Sequence, residues 1–142
     1  MVRLAWTAPD DRGDPITAYA VLIETSTPGL FLADPTDCPA ADPTLLARAY
    51  CEIPLATLRD AGFTALSQGD LIRATVTATN AFGASDPSPL NTGGARVETA
   101  PHRPASAPAR GALTGETALR LELAPLTGDE TGGSPILSYV VL

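Results

Sequence analysis

Val2-Arg3-Leu4-Ala5-Trp6, followed after a loop by Gly13-Asp14-Pro15-Ile16-Thr17-Ala18-Tyr19-Ala20-Val21-Leu22, decides the reading of this chain. In the first block Val2, Leu4 and Trp6 alternate with Arg3, Ala5 and Thr7. A period of two is the mark of a strand with one buried and one wet face. The pair of blocks then recurs as Leu119-Arg120-Leu121-Glu122-Leu123 and Gly133-Ser134-Pro135-Ile136-Leu137-Ser138-Tyr139-Val140-Val141-Leu142. Val2 maps onto Leu119 and Ile16 onto Ile136. The two offsets differ slightly, and the difference falls in the intervening loop, where insertions are tolerated best. Self-similarity of this kind marks a modular array. The second copy stops barely past its second strand. The expectation is one nearly complete module and the truncated start of another, a window onto a longer tandem chain.

The same period continues outward. Ile72, Ala74, Val76 and Ala78 alternate with Arg73, Thr75, Thr77 and Thr79, and Thr17 to Glu24 should bury Tyr19, Val21 and Ile23. Cys51, Ile53 and Leu55 suggest a further strand, and Ala95 to Thr99 a last one. Turn residues separate them: Pro9-Asp10-Asp11, Gly13-Asp14-Pro15, Pro28-Gly29, Gly69-Asp70, Asn80 to Gly83 and Gly93-Gly94. Leu55 to Ala61 carries helix formers with Gly62 as a stop, which predicts one short helical turn. Ser26 to Ala49, with Pro28, Pro35, Pro39 and Pro43, reads as an edge strand with irregular loops. Ala100 to Ala109 carries Pro101, Pro104 and Pro108, a linker stiffened toward an extended form.

Composition bounds the partners. Of 142 residues, 44% are hydrophobic, enough for a packed core, and no run approaches the ~20 apolar residues of a membrane span. Met1 opens directly into strand-like sequence, so a signal peptide is not expected within these residues, which for a fragment says nothing about destination. The net charge is −7 and all nine basic residues are Arg. Without a basic cluster the chain is a poor ligand for nucleic acid. Cys38 and Cys51 belong to no CxxC pair, and His102, the single histidine, is distant in sequence, so a zinc site lacks ligands. A disulfide between Cys38 and Cys51 would close a short loop, stabilise by about 3 kcal/mol and imply an oxidising compartment. Two unrelated buried thiols are the alternative.

These pieces together resemble fibronectin type III. The resemblance rests on Leu4-Ala5-Trp6, Pro15-Ile16-Thr17-Ala18-Tyr19-Ala20-Val21, Leu66 to Ile72, and Val76-Thr77-Ala78-Thr79-Asn80-Ala81-Phe82-Gly83-Ala84-Ser85. It spans most of residues 2–99. It implies an all-β, immunoglobulin-like, seven-stranded β-sandwich with Trp6 between sheets about 10 Å apart. Three departures stand out. Ile72 occupies the place where the family usually has the Tyr of the tyrosine corner. Leu123 replaces Trp6 in the second copy. The first module opens at strand B, without its strand A, which leaves an open sheet edge. Residues 104–113 look like a strand A. They either serve the next module of the same polypeptide or fill the vacant edge of a neighbouring molecule. The first is simpler, because consecutive elements usually pack together.

The chain thus divides into a module at 1–100, a Pro-rich linker and next strand A at 101–118, and a second module's start at 119–142. Motifs of chemistry are sparse. Arg12-Gly13-Asp14 spells the integrin-attachment tripeptide, but on the B–C loop rather than the F–G loop, and Pro15 restricts Asp14. Asp10, Asp11 and Asp14, like Asp129 and Glu130, lack the calcium-loop pattern. No Ser or Cys nucleophile has a base partner, no carboxylate pair faces a cleft, and no phosphate loop appears, so no enzyme activity and no cofactor are implied. Neither Asn80 nor Asn91 fits the N-linked acceptor pattern; Thr36, Thr44 and Ser106 are candidates for O-linked sugars. The expected function is a non-catalytic structural module of an extracellular rod, coat or filament. Its partners are neighbouring copies, in cis or as a homopolymer, with other extracellular proteins or glycans as further candidates, and no membrane contact. A binding module of a receptor or adhesion ectodomain, or an accessory module of a secreted enzyme, is the alternative.

Overall fold

The computed structural model describes residues 1–112 and 115–141. The chain is β-rich, with antiparallel sheets and few helices. It divides into two compact units, Met1–Val97 and Glu98–Leu142.

In the first unit the alternating segments become strands because each can bury one face. β1 (Val2–Ala5) pairs antiparallel with β4 (Tyr50–Ile53), setting Leu4 opposite Cys51 and Arg3 opposite Glu52. A second sheet runs β3-β2-β5-β6, from β2 (Ala18–Glu24), β3 (Phe31–Ala33), β5 (Ala74–Asn80) and β6 (Gly83–Ala84). The long β2–β5 ladder runs from Ala18 opposite Thr79 to Ile23 opposite Ala74. Tyr19, Val21 and Ile23 are buried as the alternation requires. They meet Cys51 and Ile53 from the other sheet in one core, with Leu58, Leu66, Ile72 and Val97. Each fully buried Ile or Leu contributes about 1.5–3 kcal/mol.

Two short helices join the strands. α2 (Leu55–Arg59) is the helical turn expected at Leu55 to Ala61, and it buries Leu58 completely. α1 (Pro43–Arg48) lies inside the stretch read as edge strand and loops. Only β3 of that stretch is a strand, at the edge of its sheet. α1 forms because Asp42 accepts from Thr44 N at 2.7 Å as N-cap and Pro43 supplies a helical φ at the first position. It ends at Ala49, in the left-handed region at φ 53°.

The last strand expected in this unit, Ala95 to Thr99, is shorter than the sequence suggested. Ile72 N donates to Ala95 O at 3.0 Å and Val97 N to Asp70 O at 2.9 Å, around a single bridge from Leu71 to Arg96. Beyond β6 the chain keeps beside β5 without a regular ladder, because Pro87 and Pro89 bring no N–H. Ser85 N and Ser88 N still donate to Ala78 O and Val76 O, both at 2.8 Å, and polar side chains supply the rest. Ser85 Oγ accepts from Ala78 N (3.1 Å), Ser88 Oγ from Val76 N (3.0 Å) and Asn91 Oδ1 from Ala74 N (2.8 Å). Asn91 Nδ2 also donates to Ile72 O at 3.0 Å. The spacing of three suits an extended, proline-bearing segment.

The second unit contains β7 (Ala109–Arg110), antiparallel to β8 (Leu121–Glu122), and one 3-10 turn, Gly128–Thr131. Thr127 and Glu130 close that turn as a capping box. The block 133–141, expected as a second strand, forms none among the described residues. An isolated extended segment has no ladder to satisfy its backbone. Leu119, Leu121, Leu123, Leu137 and Val140 are exposed in this unit.

Candidate functional site

Three places in the first unit gather side chains of interest: the disulfide, the loop bearing Arg12-Gly13-Asp14, and the outer edge of β1. The two cysteines are bonded, with Cα atoms 5.4 Å apart and both side chains buried. The bridge ties the loop at residues 34–42 to β4. That loop is itself ordered by Asp34, a buried residue whose Oδ1 accepts from Thr36 N at 2.9 Å and Asp37 N at 3.0 Å. Burial and then the negative charge of Asp34 push the Asp37 carboxyl above its ordinary value.

In the Arg12-Gly13-Asp14 loop the carboxylates serve the backbone. Asp10 Oδ1 accepts from Arg12 N at 3.0 Å and Asp11 Oδ1 from Gly13 N at 2.9 Å. These bonds hold Arg12 at φ 55° and Gly13 at φ 86°, two successive left-handed residues. Asp14 Oδ2 accepts from Ala81 N at 2.8 Å, so one carboxylate oxygen of the tripeptide fastens the β5–β6 turn to the loop. Asp42, Asp60 and Asp70 likewise accept from backbone N–H groups. Among the described residues no group of His, Cys, Asp and Glu is arranged to hold a metal. Between the loop and the β5–β6 turn lies an open cleft of about 540 Å³, lined by Asp10, Arg12, Asn80 and Asp86. Phe82 stands at its rim, 90% exposed. The sequence marked Asn80 to Gly83 only as a turn; Phe82 could have been singled out as a large apolar side chain at a turn position.

The third place is a groove of about 370 Å³ along β1, closed on its far side by Ser88, Pro89 and Asn91. Among the described residues β1 has a strand partner on one side, β4. Val2, Leu4 and Trp6 remain half-buried, whereas Cys51 and Ile53 opposite Leu4 and Val2 are buried. Trp6 packs edge-on against Tyr19, ring centroids 5.1 Å apart. Its Nε1–H is buried without a hydrogen-bond acceptor among the described residues. The outer face of the same strand carries Arg3, which pairs with Glu52 at 2.8 Å and lies 4.3 Å from the Tyr50 ring centre.

The candidates for O-linked sugars, Thr36, Thr44 and Ser106, are exposed residues. His102 lies in the second unit, where its backbone N–H donates to Glu130 O at 2.8 Å. No helix among the described residues is long and apolar enough to cross a membrane. Comparison with protein families, curated proteins and solved structures gives no match.

Proposed function

We propose that this chain is a non-catalytic structural module of a tandem-repeat extracellular rod, coat or filament, its unit a fibronectin type III-like sandwich. The observation that carries the reading is the strand order. β1 beside β4, and β2 beside β5 with β6 on the far side of β5, are the neighbours expected of strands B and E and of strands C, F and G. The sequence repeat supports an array of such units. The buried disulfide is compatible with an extracellular setting. Carboxylates spent on ordering loops leave the acidic surface a role in solubility rather than chemistry. Electron microscopy of the native polypeptide is expected to show thin particles with a regular axial repeat. Separate globular particles would overturn the reading.

One observation favours the alternative of a binding module. An exposed Phe82 at the rim of a cleft is the kind of aromatic anchor that interfaces use. If that cleft binds an extracellular protein, Phe82→Ala weakens the interaction at least tenfold while leaving the melting temperature unchanged. An interaction indifferent to Phe82 excludes the cleft.

A further inference from the structure

We propose that Asp34 and Asp37 share one proton, and that the pair is an acid-closed clasp over the Cys38–Cys51 disulfide that controls how readily a reductant reaches the bridge. The inference goes beyond the array reading and stands on the first unit alone. Asp34 is 4% exposed, yet its Oδ2 has no hydrogen-bond partner among the described residues. Its Oδ1 accepts from Thr36 N and Asp37 N, and its backbone O accepts from Cys38 N at 3.0 Å. A buried carboxylate oxygen without a donor is costly. The Asp37 side chain is in hydrogen-bond contact with that of Asp34 and with that of Thr57 on α2. A proton on Asp37 is the donor that Oδ2 lacks. The Asp37 O–H donates to Asp34 Oδ2, while the Thr57 hydroxyl holds the Asp37 carboxyl toward α2.

A proton fits between these carboxyls and a metal ion does not. Asp34 Oδ2 is closed to solvent, and two carboxyls with one hydroxyl fall short of the about six to eight oxygens that calcium takes. The charged groups nearby are engaged elsewhere. The hollow of about 270 Å³ beside Asp37 is also lined by Met1, Asp42, Arg48, Tyr50 and Glu52. Asp42 caps α1, Glu52 pairs with Arg3, and Arg48 lies 5.8 Å from the Tyr50 ring centre. Arg59 on α2 is exposed. Among the described residues no ion pair brings a cation to Asp34 or Asp37.

Loss of the proton leaves two carboxylates in contact, and like charges there repel. The repulsion acts on residues 34–38, because the far end of the loop is anchored separately. Tyr19 N donates to Ala40 O at 2.9 Å, and Asp42 holds the start of α1. Cys38 directly follows Asp37 and is 5% exposed, and Cys51 is 4% exposed. Opening at 34–38 uncovers the two sulfurs. The sign follows from the Asp37 carboxyl, whose folded-state pKa is raised: the clasp is closed in acid and loosens as pH rises through that value.

The test follows reduction of the full chain by a water-soluble phosphine, each rate taken relative to the chain unfolded in denaturant at the same pH. The ratio is expected to rise about threefold or more between pH ~3 and ~7, the range in which carboxyls titrate. Asp37→Asn supplies the N–H donor at every pH, and Asp34→Asn supplies it from the other side of the pair. Each is expected to keep the ratio low and level, whereas Asp86→Asn, at an exposed carboxylate of another loop, keeps the wild-type rise. A second measurement needs no variant. In carbon-13 spectra of the wild-type chain, the side-chain carboxyl signals of Asp34 and Asp37 are expected to move together with a common midpoint, as coupled groups do. A level ratio in the wild type, a rise that persists in Asp37→Asn, or an Asp34 signal that does not follow Asp37 overturns the proposal. So does slower reduction at neutral pH in millimolar calcium, which makes the pair a cation site instead.

Discussion

Replacing both Cys38 and Cys51 by Ala tests how the first unit holds its loop at residues 34–42. The bridge closes a loop with a sequence separation of 13. Chain entropy alone makes such a closure worth about 3 kcal/mol, because the unbridged unfolded state regains its freedom. Native packing is little altered, since both positions are buried and small. For a unit of this size each kcal/mol moves the melting temperature by about 4–8 °C, so the double variant melts roughly 12–24 °C lower. The assay is thermal unfolding followed by near-ultraviolet circular dichroism, which reports the Trp6–Tyr19 pair. Thiol titration in denaturant without reductant accompanies it and is expected to find no free thiol in the wild type. A drop below ~5 °C would refute the reasoning.

Three further outcomes follow from particular contacts. Asn91→Ala strands Ala74 N–H and Ile72 C=O and is expected to cost about 1–3 kcal/mol by denaturant melts, whereas a surface change is near neutral. Arg73→Ala removes the cation paired with buried Glu24, whose other oxygen accepts from Gly29 N at 2.9 Å. Because Arg73 is part-exposed the loss is about 1–3 kcal/mol, short of the fully buried case, and Glu24→Gln in the same background recovers part of it. The pH dependence has two opposed parts. The folded-state pKa of Asp37 is raised above 3.8, so its contribution is present below that value and lost as pH rises through the folded pKa. Asp37→Asn therefore raises the melting temperature at pH 7, a gain that vanishes in acid. The carboxyl of Asp42 is held below 3.8 by the Thr44 N–H, so its contribution is lost as pH falls through the lowered value. Asp42→Asn keeps a cap but loses that charge, and its deficit at pH 7 disappears only at lower pH.

The strands with strict alternation were legible because burial imposes the pattern directly. Tyr19, Val21 and Ile23 lie in the core, and Leu55 begins a helical turn that Gly62 follows. α1 was missed although its signal was present: Asp42-Pro43 is an N-cap followed by a first-position proline, and the surrounding prolines drew attention to loops instead. The run from Ser85 to Asn91 was illegible as sheet because prolines interrupt its backbone bonds to β5 and side chains accept from the β5 N–H groups, which period-two alternation does not register. Leu137 to Val141 reads as strand by propensity, yet a strand also needs a neighbour, and propensity does not supply one. At the candidate sites, the pairing of Cys38 with Cys51 was one of two readings of the sequence. The tie from Asp14 to Ala81 and the exposure of Phe82 depend on a loop and a turn meeting in space.

The central claim is that two antiparallel sheets, β1–β4 and β3-β2-β5-β6, enclose one core. Nuclear Overhauser contacts in the labelled full chain test it most directly. Close Hα–Hα contacts are expected for Arg3 with Glu52 and for Val21 with Val76, the non-hydrogen-bonded pairs of the two ladders. Contacts from the Trp6 ring to Tyr19 should join the two sets. Absence of the Arg3–Glu52 contact, or a Trp6 ring with no contact to Tyr19, would contradict the account.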